Sequence, residues 1–151
     1  MEQAMEQLVQ QPETAEAKVA AMERGANWFF WISALSVINS LSVTFSGLTD
    51  LLFGLGATRL VDESFRQNTL AGVNPAGLSF NLAIAGLFAL FGYYARKGSD
   101  IAFVLGMFLY AIDAMILIGF RDIFGFGFHL VALFYMFNGL LASRRRYDPS
   151  V

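Results

Sequence analysis

The chain of 151 residues contains no cysteine. That removes disulfide staples, thiol nucleophiles, thiolate metal sites and iron–sulfur clusters from consideration at once. A single histidine is too little for a zinc site on one chain. Charge is scarce as well: Asp, Glu, Lys and Arg make up 15% of the residues, against a soluble norm of roughly 25%. What fills the space is apolar, at 56%, with 14 glycines besides. Such a chain has too little polar surface to coat a soluble globule.

The apolar residues are concentrated in four windows of 20 residues: Asn27 to Ser46, Ala76 to Ala95, Ile101 to Phe120 and Phe124 to Ser143. At about 1.5 Å per helical residue each spans roughly 30 Å, the thickness of a bilayer's hydrocarbon core. The expectation is an all-α membrane protein, a bundle of four transmembrane helices over residues 26–146. Residues 1–25 carry Glu2, Glu6, Glu13, Glu16 and Glu23 against Lys18 and Arg24, a balance of −3. With no basic start and no apolar core this is neither a secretory signal nor a transit peptide. Ala15, Val19, Met22 and Ala26 recur at helical spacing and Pro12 suits a first turn, so Pro12 to Arg24 reads as an amphipathic N-terminal helix, with Gly25 a joint into the first span.

Lys and Arg resist translocation, so their distribution orients the spans. The side holding both termini and the Arg96 to Asp100 loop has seven: Lys18, Arg24, Arg96, Lys97, Arg144, Arg145 and Arg146. The other has three, Arg59, Arg66 and Arg121. Both termini, including the tail 147–151, are therefore expected in the cytoplasm. Trp28, Trp31, Tyr93, Tyr94 and Tyr147 fall at span ends, as aromatic anchors do. Residues 47–74 are apolar at Leu51, Leu52, Phe53, Leu55 and Leu60, yet charged at Asp50, Arg59, Asp62, Glu63 and Arg66, and too short to cross and return. Leu48 to Phe65 reads as an outer helix, lying at the interface or dipping in as a re-entrant piece. Gly54 and Gly56 weaken it as an isolated helix and permit close backbone contact. Asn68 to Pro75 reads as the turn into the second span.

Three runs, Gly25-Ala-Asn-Trp-Phe-Phe-Trp-Ile, Ser36-Val-Ile-Asn-Ser40 and Gly54-Leu-Gly-Ala-Thr-Arg-Leu-Val-Asp62, cover about the first 40% of the chain. In these the chain resembles small uncharacterised bacterial four-span membrane proteins with the same opening. The resemblance implies a bacterial source and the cytoplasmic (inner) membrane, and brings no activity with it.

Ionisable and amide side chains at membrane depth are costly, which makes them functional candidates. Asp113 lies seven residues before Phe120, about 10 Å below the outer edge, and His129 five after Phe124, about 8 Å below it. Asn39, seven before Ser46, and Asn81, five after Ala76, fall at roughly 8 to 11 Å. Each span thus contributes one strongly polar side chain to an outer layer. Tyr110 and Asn138 are secondary candidates on the third and fourth spans. The faces agree: Gly77, Asn81, Ala85 and Gly92 share one side of the second span, Gly106, Tyr110 and Asp113 one of the third, and Gly125, His129, Ala132, Met136 and Gly139 one of the fourth. Ser33, Ser36, Ser40, Thr44 and Gly47 make a similar stripe on the first. Small residues let helices approach, and polar ones then reach across.

Three readings of the layer stand. It is structural glue, each interhelical hydrogen bond worth about 0.6 to 2 kcal/mol in lipid. It is a site for a proton, an ion or a polar ligand, in which the charge on Asp113 depends on whether His129 reaches it. Or His129 is an axial ligand to a porphyrin or chlorin, with Gly125 four residues earlier leaving room for the ring, although one histidine per chain gives bis-histidine ligation only in a dimer. Catalytic devices are not legible. Ser42 or Ser46 near His129 has no G-x-S-x-G elbow, and Gly125-Phe-Gly-Phe and Gly54-Leu-Gly lack the Lys and Ser/Thr of a phosphate loop. The 16 Phe could line a quinone or pigment surface, but bulk facing lipid is the commoner use of Phe in a span. Arg144 to Arg146, directly after a span, read as a topology anchor on anionic lipid rather than a nucleic-acid patch, and Arg121 and Asp122 as caps of the outer turn.

The functional expectation is a non-catalytic membrane interaction protein, a small subunit of a larger complex or a homo-oligomer. Its partners are lipids and other membrane subunits or itself, with no metal, no nucleic acid and no cofactor beyond the porphyrin or chlorin alternative. A small oligomeric transporter or channel using Asp113 and His129 is the alternative, and a pigment- or quinone-binding subunit a third.

Overall fold

In a computed structural model of the chain, which describes residues 2–46, 56–57, 60–61 and 75–147, the described residues are all-α. They form four helices: α1 (Glu2–Ser46), α2 (Pro75–Arg96), α3 (Asp100–Gly119) and α4 (Ile123–Tyr147). Three of these, α2, α3 and the Ile123–Arg145 part of α4, are long and apolar enough to cross a membrane, so the chain is a multi-pass membrane protein. The fourth expected crossing, Asn27 to Ser46, is the C-terminal part of α1. Apart from Gly56, Ala57, Leu60 and Val61, the expected outer segment 47–74 lies outside the described residues, as does the tail after Tyr147.

The turns follow from local chemistry. After α2, the Gly98 N–H donates to Ala95 O (2.9 Å) and the Ser99 N–H to Tyr94 O (3.1 Å), with Gly98 at φ 83°. This is the Schellman closure, in which glycine takes the left-handed position without steric cost. Ser99 then caps α3, its hydroxyl accepting the Ala102 N–H. The same closure recurs after α3, where the Arg121 N–H donates to Ile118 O (2.9 Å) and the Asp122 N–H to Leu117 O (3.0 Å). Here a non-glycine, Arg121, takes φ 58°. Asp122 caps α4, its Oδ1 accepting the Gly125 N–H at 2.8 Å.

α1 packs on α2 and α4, and α3 on α4 and α2. Phe29, fully buried, fills the centre, with its ring against Phe91 of α2 and Phe103 of α3. The glycines set how closely the helices come. A Cβ on Gly106 would meet the Phe29 ring, and one on Gly92 would lie 3.0 Å from Phe30. The residues buried on α2 are Gly77, Asn81, Ala85, Phe88, Gly92 and Ala95, which is the small-residue face with one phenylalanine inserted. At the opposite end from the Asp122 turn, Ser143 donates to Asp100 Oδ1 at 2.7 Å and Arg144 Nε lies 3.5 Å from Asp100 Oδ2, tying α4 to the start of α3.

Two expectations about the N-terminal region need correction. Pro12 was expected in a first turn and Gly25 as a joint, but α1 is one helix of 45 residues through both. The fixed φ of proline is itself helical, so the chain continues with one backbone bond missing. Gly25 is no hinge but a contact: a Cβ there would stand 2.6 Å from Gly139 Cα and 2.9 Å from Tyr135 O. Glycine lets the α1 and α4 backbones touch. Of the apolar stripe, Met22 and Ala26 are buried in the bundle, whereas Ala15 is exposed.

Candidate functional site

Asp113 on α3 and His129 on α4 meet. The His129 Nε2 lies 2.8 Å from Asp113 Oδ2, with the two side chains 2% and 5% exposed. Asp113 stands six residues before Gly119 and His129 six after Ile123, so the turn between the helices places both about 9 Å from the helix ends that it joins. Tyr110, one turn before Asp113, lies flat on the imidazole with centroids 4.1 Å apart and planes 14° from parallel. Phe88 of α2 meets the other side of the Tyr110 ring edge-on.

The remaining polar atoms are all engaged. The His129 Nδ1 lies 2.8 Å from Gly125 O, one turn earlier on the same helix. A carbonyl only accepts, so Nδ1 carries a hydrogen. The Nε2 to Oδ2 contact holds a second hydrogen. The pair therefore carries two protons, and imidazolium with carboxylate or imidazole with carboxylic acid are equally net-neutral. The carboxylate has two further donors: the Gly56 N–H reaches Oδ2 at 2.8 Å and the Ala57 N–H reaches Oδ1 at 2.7 Å. Two consecutive backbone N–H groups are thus turned onto one carboxylate.

Gly56 and Ala57 thus pack against α3, with Gly56 buried and Ala57 partly so. Glycine is required there, since a Cβ on Gly56 would lie 3.0 Å from Asp113 O and 3.2 Å from Ile116 Cβ. Sequence reasoning missed both backbone donors. Their only signal was a glycine in an apolar stretch that is too charged to cross.

The other two members of the expected layer lie on the other two helices. Asn39 and Asn81 are buried on α1 and α2, and neither is without a partner. Ser36, also buried, donates to Ile32 O at 2.7 Å within its own helix. Tyr110 belongs to the pair's surroundings. Asn138 does not: it is exposed on the outside of α4, its amide donating to Phe134 O at 3.0 Å. Thr44 and Gly47 of the serine stripe lie outside the side chains described.

Chemically, the arrangement pins a segment. Three donors converge on one carboxylate from two other parts of the chain, and the imidazole is oriented by its second nitrogen and covered by an aromatic ring. Neither ring nitrogen of His129 is open to a ligand. No protein-family model, curated protein or solved structure matches the chain.

Proposed function

We propose that the chain is a non-catalytic four-span protein of the bacterial cytoplasmic membrane, with both termini inside, that acts by associating with other membrane subunits or with copies of itself. The observation that supports this best is the saturation of the intramembrane ion pair: Asp113 accepts from Gly56, Ala57 and His129, and His129 uses both nitrogens. A transport site needs a group that exchanges its partner for the cargo, and a porphyrin ligand needs a free imidazole nitrogen. Spending both groups on holding the fold favours structural glue among the three readings. The orientation rests on the seven-to-three distribution of Lys and Arg. The fourth span rests on the apolar length of Asn27 to Ser46 and on its packing against two other spans.

Extraction in mild detergent followed by native mass spectrometry tests the reading. A fixed complex, with another protein or with itself, is the expected result. A species that drives ion or proton flux in liposomes, with the flux abolished by Asp113→Asn, overturns it in favour of transport. A reporter at Val151 is expected to be active only in the cytoplasm.

A further inference from the structure

Asn138 is the side chain that the bundle leaves unexplained. It sits six residues before Arg144, about 9 Å inside the cytoplasmic end of the span, yet it is exposed on the outside of α4. One of its N–H groups bonds to Phe134 O. Its Oδ1 and other N–H have no partner among the described residues, and hydrocarbon offers none. The exposed apolar side chains differ in kind. Ile101, Phe108 and Met115 on α3 are exposed, but lipid tails satisfy them as well as protein would, because burial brings no hydrophobic gain between helices in a bilayer. The amide alone gains from a neighbour.

The residues around it form a seam. Gly127, Val131, Phe134, Asn138, Leu141 and Arg145 recur at alternating steps of four and three, the heptad spacing that keeps one face of a helix against another. Val131, Phe134 and Asn138 are exposed, and Gly127 has open space where a Cβ would be. Arg145, also exposed, ends the seam at the cytoplasmic surface, where its charge meets water.

We propose that this outward seam of α4 is the interface of a symmetric dimer, with the two Asn138 amides hydrogen-bonded to each other across the two-fold axis. The occupant is a second copy because the amide is self-complementary. Each Asn138 offers one free donor and one free acceptor, and a two-fold axis along the membrane normal brings two copies of the same residue together in a single orientation. The proposal rests on the reading of the chain as an association protein and names its partner.

The absence of cysteine permits a direct test on the full chain in its own membrane. Single variants Val131→Cys, Phe134→Cys and Asn138→Cys are expected to form disulfide-linked dimers on mild oxidation, while Phe108→Cys and Met115→Cys on α3 do not. Energy transfer between labelled copies in liposomes is expected to show dimerisation weakened about three- to thirtyfold by Asn138→Leu and largely retained by Asn138→Gln. Neither change touches the bundle interior, so helical content is expected to stay constant. Crosslinks that favour α3, or an Asn138→Leu dimer as tight as the parent, overturn the proposal. Seam cysteines that join the chain to a different polypeptide overturn the second copy as occupant while leaving the association reading intact. A lone monomer with no crosslink at any position overturns both.

Discussion

The contact between Gly25 and Gly139 is the sharpest quantitative handle on the bundle. In Gly139→Ala the new methyl would lie 2.7 Å from Gly25 Cα and 3.1 Å from the Phe103 ring. Carbon atoms prefer about 3.5–4.0 Å, so α1 and α4 must separate by roughly 1 Å, and a gap of 0.5–1 Å forfeits a quarter to a half of each dispersion contact along the seam. With little room for Phe103 to yield in a packed core, the expected cost is about 1–3 kcal/mol. Gly25→Ala meets the same backbone and Tyr135 O at 2.9 Å, and is expected to cost as much. The double variant is the discriminating case. Once the helices have moved apart for one methyl, the second enters space already opened, so the pair should cost less than the sum of its parts by about 0.5 kcal/mol or more. Gly86→Ala on α2 is the control, because nothing lies within 4 Å of its Cβ position. Reversible unfolding in mixed detergent micelles, followed by circular dichroism, measures all four. Gly139→Ala as stable as Gly86→Ala, or strictly additive effects of the two contact glycines, would refute a direct backbone contact between α1 and α4.

Further outcomes follow from other contacts. Asp113→Asn keeps one acceptor oxygen and puts an NH2 where the other stood, so one of the two backbone N–H groups loses its partner and the expected loss is about 1–3 kcal/mol, whereas Asp113→Leu strands three partners and is expected to lose about 3–5 kcal/mol. Hydrogen exchange at Gly56 and Ala57 separates them, with protection of one of the two amides retained in the first and of neither in the second. Asp122→Ala removes the cap of α4 and should lower stability by about 0.5–2 kcal/mol in the same micellar assay. Arg121→Gly relieves a non-glycine left-handed conformation and should raise the unfolding midpoint, by an amount equivalent to about 0.5–1 kcal/mol after the entropic cost of glycine is subtracted.

The interior faces were legible because in lipid the helix contacts must be made by small and polar residues, and these recur at helical spacing on α2, α3 and α4. Counting inward from the two ends of a tight turn also puts Asp113 and His129 at nearly the same depth, and antiparallel neighbours joined by three residues have little freedom to differ. The contribution of Gly56 and Ala57 was not legible. Backbone donors leave no mark in side-chain chemistry, and the apolar residues near them suit an interface and a re-entrant position equally. The continuity of α1 was misread because the signals that end a helix, proline and glycine, are also the signals of a tolerated interior position and of a close contact. Asn138 shows a third limit. A polar residue in a span announces that it needs a partner, but only the packing decides whether that partner lies in the same chain.

The neutrality of the Asp113–His129 pair has an electrical consequence. A single carboxylate about 9 Å into a 30 Å hydrocarbon core would feel about a third of the membrane field, roughly 0.7 kcal/mol for each 100 mV. A pair whose two protons leave no net charge feels none of this. Only the shift of one proton by about 1 Å between Nε2 and Oδ2 couples to the voltage, at less than about 0.1 kcal/mol per 100 mV. The bundle therefore keeps its shape whether the membrane is energised or depolarised, and Gly56 and Ala57, held by Asp113, are anchored to a fixed point rather than to a voltage sensor.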